Sequence, residues 1–176
     1  MSRRGSETVM DMVRSLGLIV LIIAAMLIFV PALVHPSSRD KYPAVDISDY
    51  LTGFHEVTGE SALVPDLHAL PGWKPTAATL TGPARAEHLR IGFSAPGAKY
   101  AGLEESVTPS TQFIRATLGA AGTASSGTVR IGGTRWSGRM SNDGEYALSR
   151  AVGPVTVIVT GSATVDQLRT LAGSLS

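Results

Sequence analysis

Residues 128–160 decide the fold class, and they read TVRIGGTRWSGRMSNDGEYALSRAVGPVTVIVT. The stretch divides into four short runs rich in Thr, Val, Ile and aromatic residues, which favour β-strands. Between the runs stand Gly-Gly, Asn-Asp-Gly and Gly-Pro, which are typical of tight hairpin turns. We therefore predict four consecutive antiparallel strands, at residues 128–131, 134–140, 145–152 and 155–160.

The sequence before this stretch predicts one helix and three more strands. Tyr50, Leu51 and Phe54 share one side of a helix predicted at residues 47–57. Runs bounded by Pro-Gly turns then predict the strands, at residues 76–80, 89–94 and 100–107.

Two further helices are predicted from their end signals. Thr108 is the predicted cap of a helix that has Pro109 at its first position and ends at Gly119. Thr164 and Gln167 have the spacing of a capping box at the start of the last helix. The buried stripe of that helix is predicted at Val165, Leu168, Leu171 and Leu175. The predicted fold class is α+β, with a mainly antiparallel sheet and two or three helices.

Residues 16–34 form an uninterrupted apolar run, and no charged side chain stands between Arg14 and His35. As a helix the run spans about 28 Å, close to the roughly 30 Å hydrocarbon core of a bilayer. We therefore predict one N-terminal transmembrane helix at residues 15–35. A cleaved signal peptide is the alternative, although the residues before the run include acidic ones and no Ala-x-Ala pattern follows it.

The predicted organisation is a leader at 1–14, the transmembrane helix, a linker at 36–43 and a domain at 44–176. Three basic residues precede the apolar run and two closely follow it, which favours a cytoplasmic N-terminus and an extracytoplasmic domain. The expected location is the cell membrane, with a single pass, and the lipid bilayer is the first expected partner.

Composition excludes several classes of protein. The 176 residues include no cysteine, which excludes disulfide scaffolds, thiolate metal sites and a cysteine nucleophile. The formal net charge of +1 gives no case for nucleic-acid binding. Charge is low even outside the apolar run, where 24 of the 141 residues from Pro36 onward are charged, and this mildly favours a partner such as another membrane protein or complex. The few aromatic residues, Tyr100 among them, are spread as in a core rather than clustered as in a stacking platform.

No motif in the sequence indicates a catalytic residue, a cofactor or a metal. Glu104 and Glu105 are adjacent on a predicted strand and should point to opposite faces of the sheet. A glycosidase needs two carboxylates about 5 to 10 Å apart, and only folding would bring Glu104 near Asp143 or Glu145. None of the four histidines lies in a metal-binding motif: His35, His55, His68 and His88.

Two tryptophans and two arginines are the candidate partner-binding residues. Trp73 follows a Pro-Gly turn, and Trp136 stands near Arg135 and Arg139 on a predicted strand. Aromatic and arginine side chains often recognise a partner or a glycan. Core packing of the indoles is the alternative. Strand alternation favours it, because Arg135 and Arg139 would share the face opposite Trp136 unless a bulge at Gly138 intervenes.

A set of short motifs occurs in order along the chain: residues 11–16, DMVRSL; 70–73, LPGW; 92–93, GF; 100–104, YAGLE; 133–136, GTRW; and 159–163, VTGSA. In these motifs and their order the chain resembles the actinobacterial membrane-anchored proteins grouped as domain of unknown function 4245. The resemblance covers nearly the whole length. It implies a topology but no activity, so no catalytic residue is carried over from it.

Three functions follow from these observations. The combination of a predicted anchor with no reactive motif favours a non-enzymatic binding or accessory module for another membrane or envelope component. A domain that binds lipid or cell-wall material is the alternative, because residues 67–176 contain ten basic and six acidic residues. An envelope hydrolase is the third, and it would require a cleft that gathers a histidine with carboxylates.

Overall fold

A computed structural model describes residues 43–83 and 87–176 of the chain. Within them lie seven strands that form a single sheet. The strands are β1 (Lys74–Thr81), β2 (His88–Ala95), β3 (Lys99–Ser106), β4 (Gly127–Ile131), β5 (Thr134–Met140), β6 (Tyr146–Val152) and β7 (Val155–Thr160). Their order across the sheet is β1-β2-β3-β7-β6-β5-β4, and every neighbouring pair is antiparallel.

This strand order follows from two meanders that meet in the middle of the sheet. Strands β1 to β3 form the first meander and β4 to β7 the second, each built from consecutive hairpins. The pairing of β3 with β7 joins them and leaves β1 and β4 at the edges. Each predicted strand is confirmed to within two residues at either end.

Three α-helices accompany the sheet in the described residues, which confirms the predicted α+β class. They are α1 (Ser48–Thr58), α2 (Ser110–Leu118) and α3 (Val165–Gly173). Helix α3 begins with the predicted capping box, in which the side chains of Thr164 and Gln167 each accept from the other's backbone N–H.

Two details at the helix ends differ from the prediction. Helix α2 begins one residue later than expected, because the Thr108 N–H donates to the Ser106 hydroxyl and Pro109 keeps an extended backbone as the cap. Val165 is exposed, since the contact of α3 with the sheet begins one turn later, at Leu168, Leu171 and Ala172.

The two faces of the sheet are covered unequally. Helices α1 and α3 pack on the first face, where most of the core lies, with Phe93, Leu103 and Leu148 among its fully buried members. On the second face α2 buries Phe113, Ile114 and Leu118 against Ala147 and Ile158. The core on the second face is therefore small, and a cleft lies beside α2.

The predicted transmembrane helix at 15–35 lies outside the described residues, as do the predicted leader and nearly all of the predicted linker. Among the residues that the structure does describe, no helix has the length and apolar character needed to cross a membrane.

Candidate functional site

A cleft of about 310 Å³ opens on the second face of the sheet, between α2, the middle strands and the turn that joins β5 to β6. Strands β2 and β3 contribute His88, Arg90, Tyr100 and Glu104 to its lining. These residues share a face because His88 and Arg90 stand two apart on β2, and Arg90 pairs with Glu104 across the β2–β3 register. The hairpin therefore places a histidine, an arginine and a carboxylate side by side.

Glu104 lies at the base of the cleft and is only 5% exposed. Its carboxylate accepts a hydrogen bond from His88 Nε2 at 2.8 Å, and Arg90 Nε lies 3.5 Å from its other oxygen. The ring of Phe113 on α2 meets the His88 ring edge to face, with centroids 5.0 Å apart, and so helps to orient it. The carboxylate is held by two potential cations, while the Arg90 side chain remains about half exposed.

The Tyr100 ring lies over the bare backbone of two glycines. A Cβ atom at Gly92 would stand 3.0 Å from Tyr100 Cε2, and one at Gly102 would stand 3.1 Å from the phenol oxygen. Arg90 donates to the Tyr100 hydroxyl at 3.4 Å, and this bond, together with the charge of Glu104, raises the pKa of Arg90. Tyr100 therefore contacts the sheet through its ring and, at 37% exposed, remains accessible to solvent.

The turn between β5 and β6 completes the cleft with Asp143 and Glu145. The turn is docked on the end of α2, where the Asn142 N–H donates to the Leu118 carbonyl and the Asn142 side chain accepts from Ala121 N–H. Gly119 has a φ of +77°, and a Cβ there would collide with the Asn142 side chain, so this docking requires glycine. The turn that carries these two carboxylates is thus held at the rim of the cleft.

A hydroxyl on the α2 wall of the cleft has no partner. Thr117 lines the cleft, and its Oγ1 is buried without a hydrogen bond to any described residue. Buried polar atoms in native proteins are nearly always paired, and this atom is an exception among the described residues.

The first face holds a second buried carboxylate, Glu105, which is fully buried in the core. Both of its oxygens accept from the Leu63 N–H, at 3.0 and 3.1 Å. Burial raises the pKa of Glu105 to about 8, against the opposing effects of the Leu63 hydrogen bond and the Arg150 charge. Glu104 and Glu105 point to opposite faces, as strand alternation predicted.

The four predicted partner-binding residues are not brought together. Trp73 and Trp136 are both buried in the core, and the Arg150 guanidinium lies 4.8 Å above the Trp136 ring. Arg135 is exposed on the second face, whereas Arg139 turns inward, donating to the Gly122 and Thr123 carbonyls and to Ser149.

The structure has no bulge at Gly138, which alone would have brought Arg139 to the face of Trp136. The pairing of β5 with β4 and β6 runs through Gly138 without a register shift, so Trp136 and Arg139 face opposite ways. The two indoles are thus packed in the core, and the four residues do not lie together on one surface.

Sequence reasoning missed the cleft for two reasons. The even spread of the aromatic residues groups Tyr100 with the core, although Gly92 and Gly102, opposite each other on two paired strands, signal a bare surface on which a ring can lie. His88 has no ligand-like spacing in the sequence, because its partner Glu104 stands across a hairpin rather than on the same element.

In residues 43–83 and 87–176, no three acidic or histidine side chains are grouped closely enough to hold a metal ion.

Comparisons with known proteins identify the family. No curated protein and no solved structure gives a significant match to the chain. A family model described as "Protein of unknown function (DUF4245)" matches residues 4–175, which is nearly the whole chain and includes both the cleft and the predicted membrane segment. The match confirms the resemblance to domain of unknown function 4245, and the chain belongs to the DUF4245 family.

Proposed function

We propose that this chain is a membrane-anchored, non-enzymatic binding module, and that the cleft on the second face binds a small polar component of the cell envelope. The observation that carries the proposal is Glu104, a nearly buried carboxylate held at the base of an open cleft by His88 and Arg90. Withdrawing a carboxylate from solvent costs free energy that its neighbours only offset, so its presence at the base of an open cleft favours a role in recognition.

The anchoring part of this proposal rests on the apolar run at 16–34 in the sequence. We expect the chain to stay in the membrane fraction after washing with high salt and alkaline carbonate. A C-terminal tag should be digested by protease added to spheroplasts, since the proposed domain is extracytoplasmic. Release of the chain by carbonate, or protection of the tag, would contradict the anchor or its orientation.

The binding part is tested with the full chain, purified in a detergent that has no sugar headgroup. Ligand-observed NMR would screen a panel of soluble envelope fragments: oligosaccharides, short peptides and glycerol 3-phosphate. We expect one class to bind, and we expect Arg90→Gln and Glu104→Gln to weaken that binding. Arg169→Gln, an exposed arginine on α3, is the matched control and should leave it unchanged. Binding that ignores both cleft variants, or no binding at all, would contradict the proposal.

A hydrolase is the second candidate, because the cleft does gather a histidine with carboxylates, as that function requires. Binding is preferred because both oxygens of Glu104 already have neighbours, one bonded to His88 Nε2 and the other 3.5 Å from Arg90 Nε. Chromogenic glycosides distinguish the two. Turnover by the wild-type chain that is lost in Glu104→Gln would favour the hydrolase, whereas no turnover beside measurable binding favours the module.

A further inference from the structure

The position of Tyr100 restricts what the cleft accepts. Its ring lies where side chains at Gly92 and Gly102 would otherwise stand, so the sheet itself supports the ring. The register places these two glycines directly opposite each other on β2 and β3. The result is an aromatic ring in the lining of the cleft, on a residue that is 37% exposed.

Aromatic cover of bare strand glycines is a known way to stabilise a sheet, and it explains why the ring packs there. It does not explain the charged groups around the ring. Arg90 donates to the phenol oxygen and also approaches Glu104, so the ring, the guanidinium and the carboxylate form one continuous group. A ring that only covered glycines would need none of these partners.

The charge of the lining excludes two ligand classes. Arg90 is the one lysine or arginine among the lining residues, against three carboxylates, those of Glu104, Asp143 and Glu145. A phosphate or other strong anion would therefore meet net repulsion. A lipid chain would have to desolvate these charged groups without forming hydrogen bonds to them.

A saccharide can contact both the aromatic ring and the charged groups of the cleft. The C–H face of a pyranose ring is apolar and flat enough to lie on an aromatic ring, while its hydroxyls both donate and accept hydrogen bonds. Carboxylates would accept from those hydroxyls and the guanidinium would donate to them.

We propose that the ligand of this cleft is a saccharide, with a pyranose ring stacked on Tyr100 and its hydroxyls bonded to Glu104 and Arg90. This inference rests on the binding function proposed above and names the chemical class of the ligand.

Saturation-transfer NMR on the full chain, again in a detergent without a sugar headgroup, tests the stacking directly. The probes are chitotriose and maltotriose. Glycerol 3-phosphate, an anion without a sugar ring, is the comparison ligand. We expect transfer to the ring C–H protons of at least one trisaccharide. Tyr100→Leu should weaken the binding of that trisaccharide about tenfold, whereas Tyr100→Phe keeps the ring and should retain the signal.

Gly102→Ala gives a second test that leaves Tyr100 in the chain. The added methyl group would stand 3.1 Å from the phenol oxygen, so the ring must shift and the platform is disturbed. We expect weaker saccharide binding at nearly unchanged melting temperature. Gly53→Ala is the matched control, because its methyl group meets only the flexible end of Leu80 near α1.

The outcomes separate this inference from the proposed function. Saccharide binding that is equal in wild type, Tyr100→Leu and Gly102→Ala overturns the stacking. Binding of glycerol 3-phosphate or a peptide that depends on Arg90 overturns the saccharide inference while the binding function stands. Failure of every panel member to bind overturns both.

Discussion

Glu104 and Glu105 are neighbours in the sequence, yet they have different surroundings because a strand sends successive side chains to opposite faces. Glu104 reaches a cleft where His88 and Arg90 approach it. Glu105 enters the core, where the Leu63 N–H is its hydrogen-bond donor and Arg150 the nearby cation that acts on its charge. The sequence predicted the divergence but not the burial of Glu105, which depends on the helices packed over the first face.

The buried carboxylate predicts a pH dependence of stability. The pKa of Glu105 is raised from an ordinary value of 4.5 to about 8, so the folded state holds its proton more tightly than the unfolded state. The stability this provides is fully present below about pH 4.5 and is lost as the pH rises through about 8, by at most about 1.4 kcal/mol per pH unit. Urea unfolding between pH 5 and 8 should show this decline.

Glu105→Gln should flatten that decline, since an amide keeps an acceptor for Leu63 N–H but does not titrate. Glu56→Gln, at an exposed site on α1, is the control and should follow the wild-type curve. If the free energy of unfolding falls equally with pH in wild type and Glu105→Gln, another group causes the pH dependence.

Among the elements, α3 has the most strongly specified start. The Thr164 hydroxyl accepts from Gln167 N–H at 3.2 Å, and the Gln167 side chain accepts from Thr164 N–H at 3.0 Å. Gln167 also donates to the Pro96 carbonyl at 2.8 Å, which ties the helix to the β2–β3 turn. One side chain therefore caps a helix and fixes a distant turn.

We expect Thr164→Ala to lower the free energy of unfolding by about 1 kcal/mol, the usual cost of losing a cap. Gln167→Ala should cost more, because it removes the bond to Pro96 as well as half of the capping box. Chemical denaturation of both variants measures the difference. An equal or smaller cost for Gln167→Ala would mean that the tie to the turn contributes nothing.

The strands and helices could be predicted from the sequence, whereas the cleft could not, because the two depend on different kinds of contact. Strand alternation, turn glycines and the capping box are local patterns, so β5, β7 and the start of α3 were placed to the residue. The cleft depends on contacts between elements far apart in the chain, such as the docking of the Asn142 turn on the end of α2. Local patterns carry no information about which second-face residues a helix leaves uncovered.

At the scale of the whole molecule, residues 63–66, which follow α1, form hydrogen bonds both with the sheet and with the residues after α3. Leu63 N–H is bound by Glu105 of the sheet, and Val64 exchanges backbone hydrogen bonds with Ser176 at 3.3 Å. Asp66 N–H also donates to the Ser174 carbonyl at 3.1 Å. The residues at 63–66 thus link the sheet to the segment that follows α3.

Leu175 should stabilise this link. Its backbone pairs with Pro65 in an isolated antiparallel β-bridge, and its half-buried side chain packs against the core on the first face. Leu175→Ala removes that packing but leaves the backbone bonds possible. We expect local opening to become about tenfold more frequent, seen as faster hydrogen exchange at Val64 and Asp66, while β3 amides exchange as before. Val152→Ala, an exposed aliphatic residue in the β6–β7 hairpin, is the control and should change neither. Equal acceleration at β3 amides would show instead that the segment opens only when the whole domain unfolds.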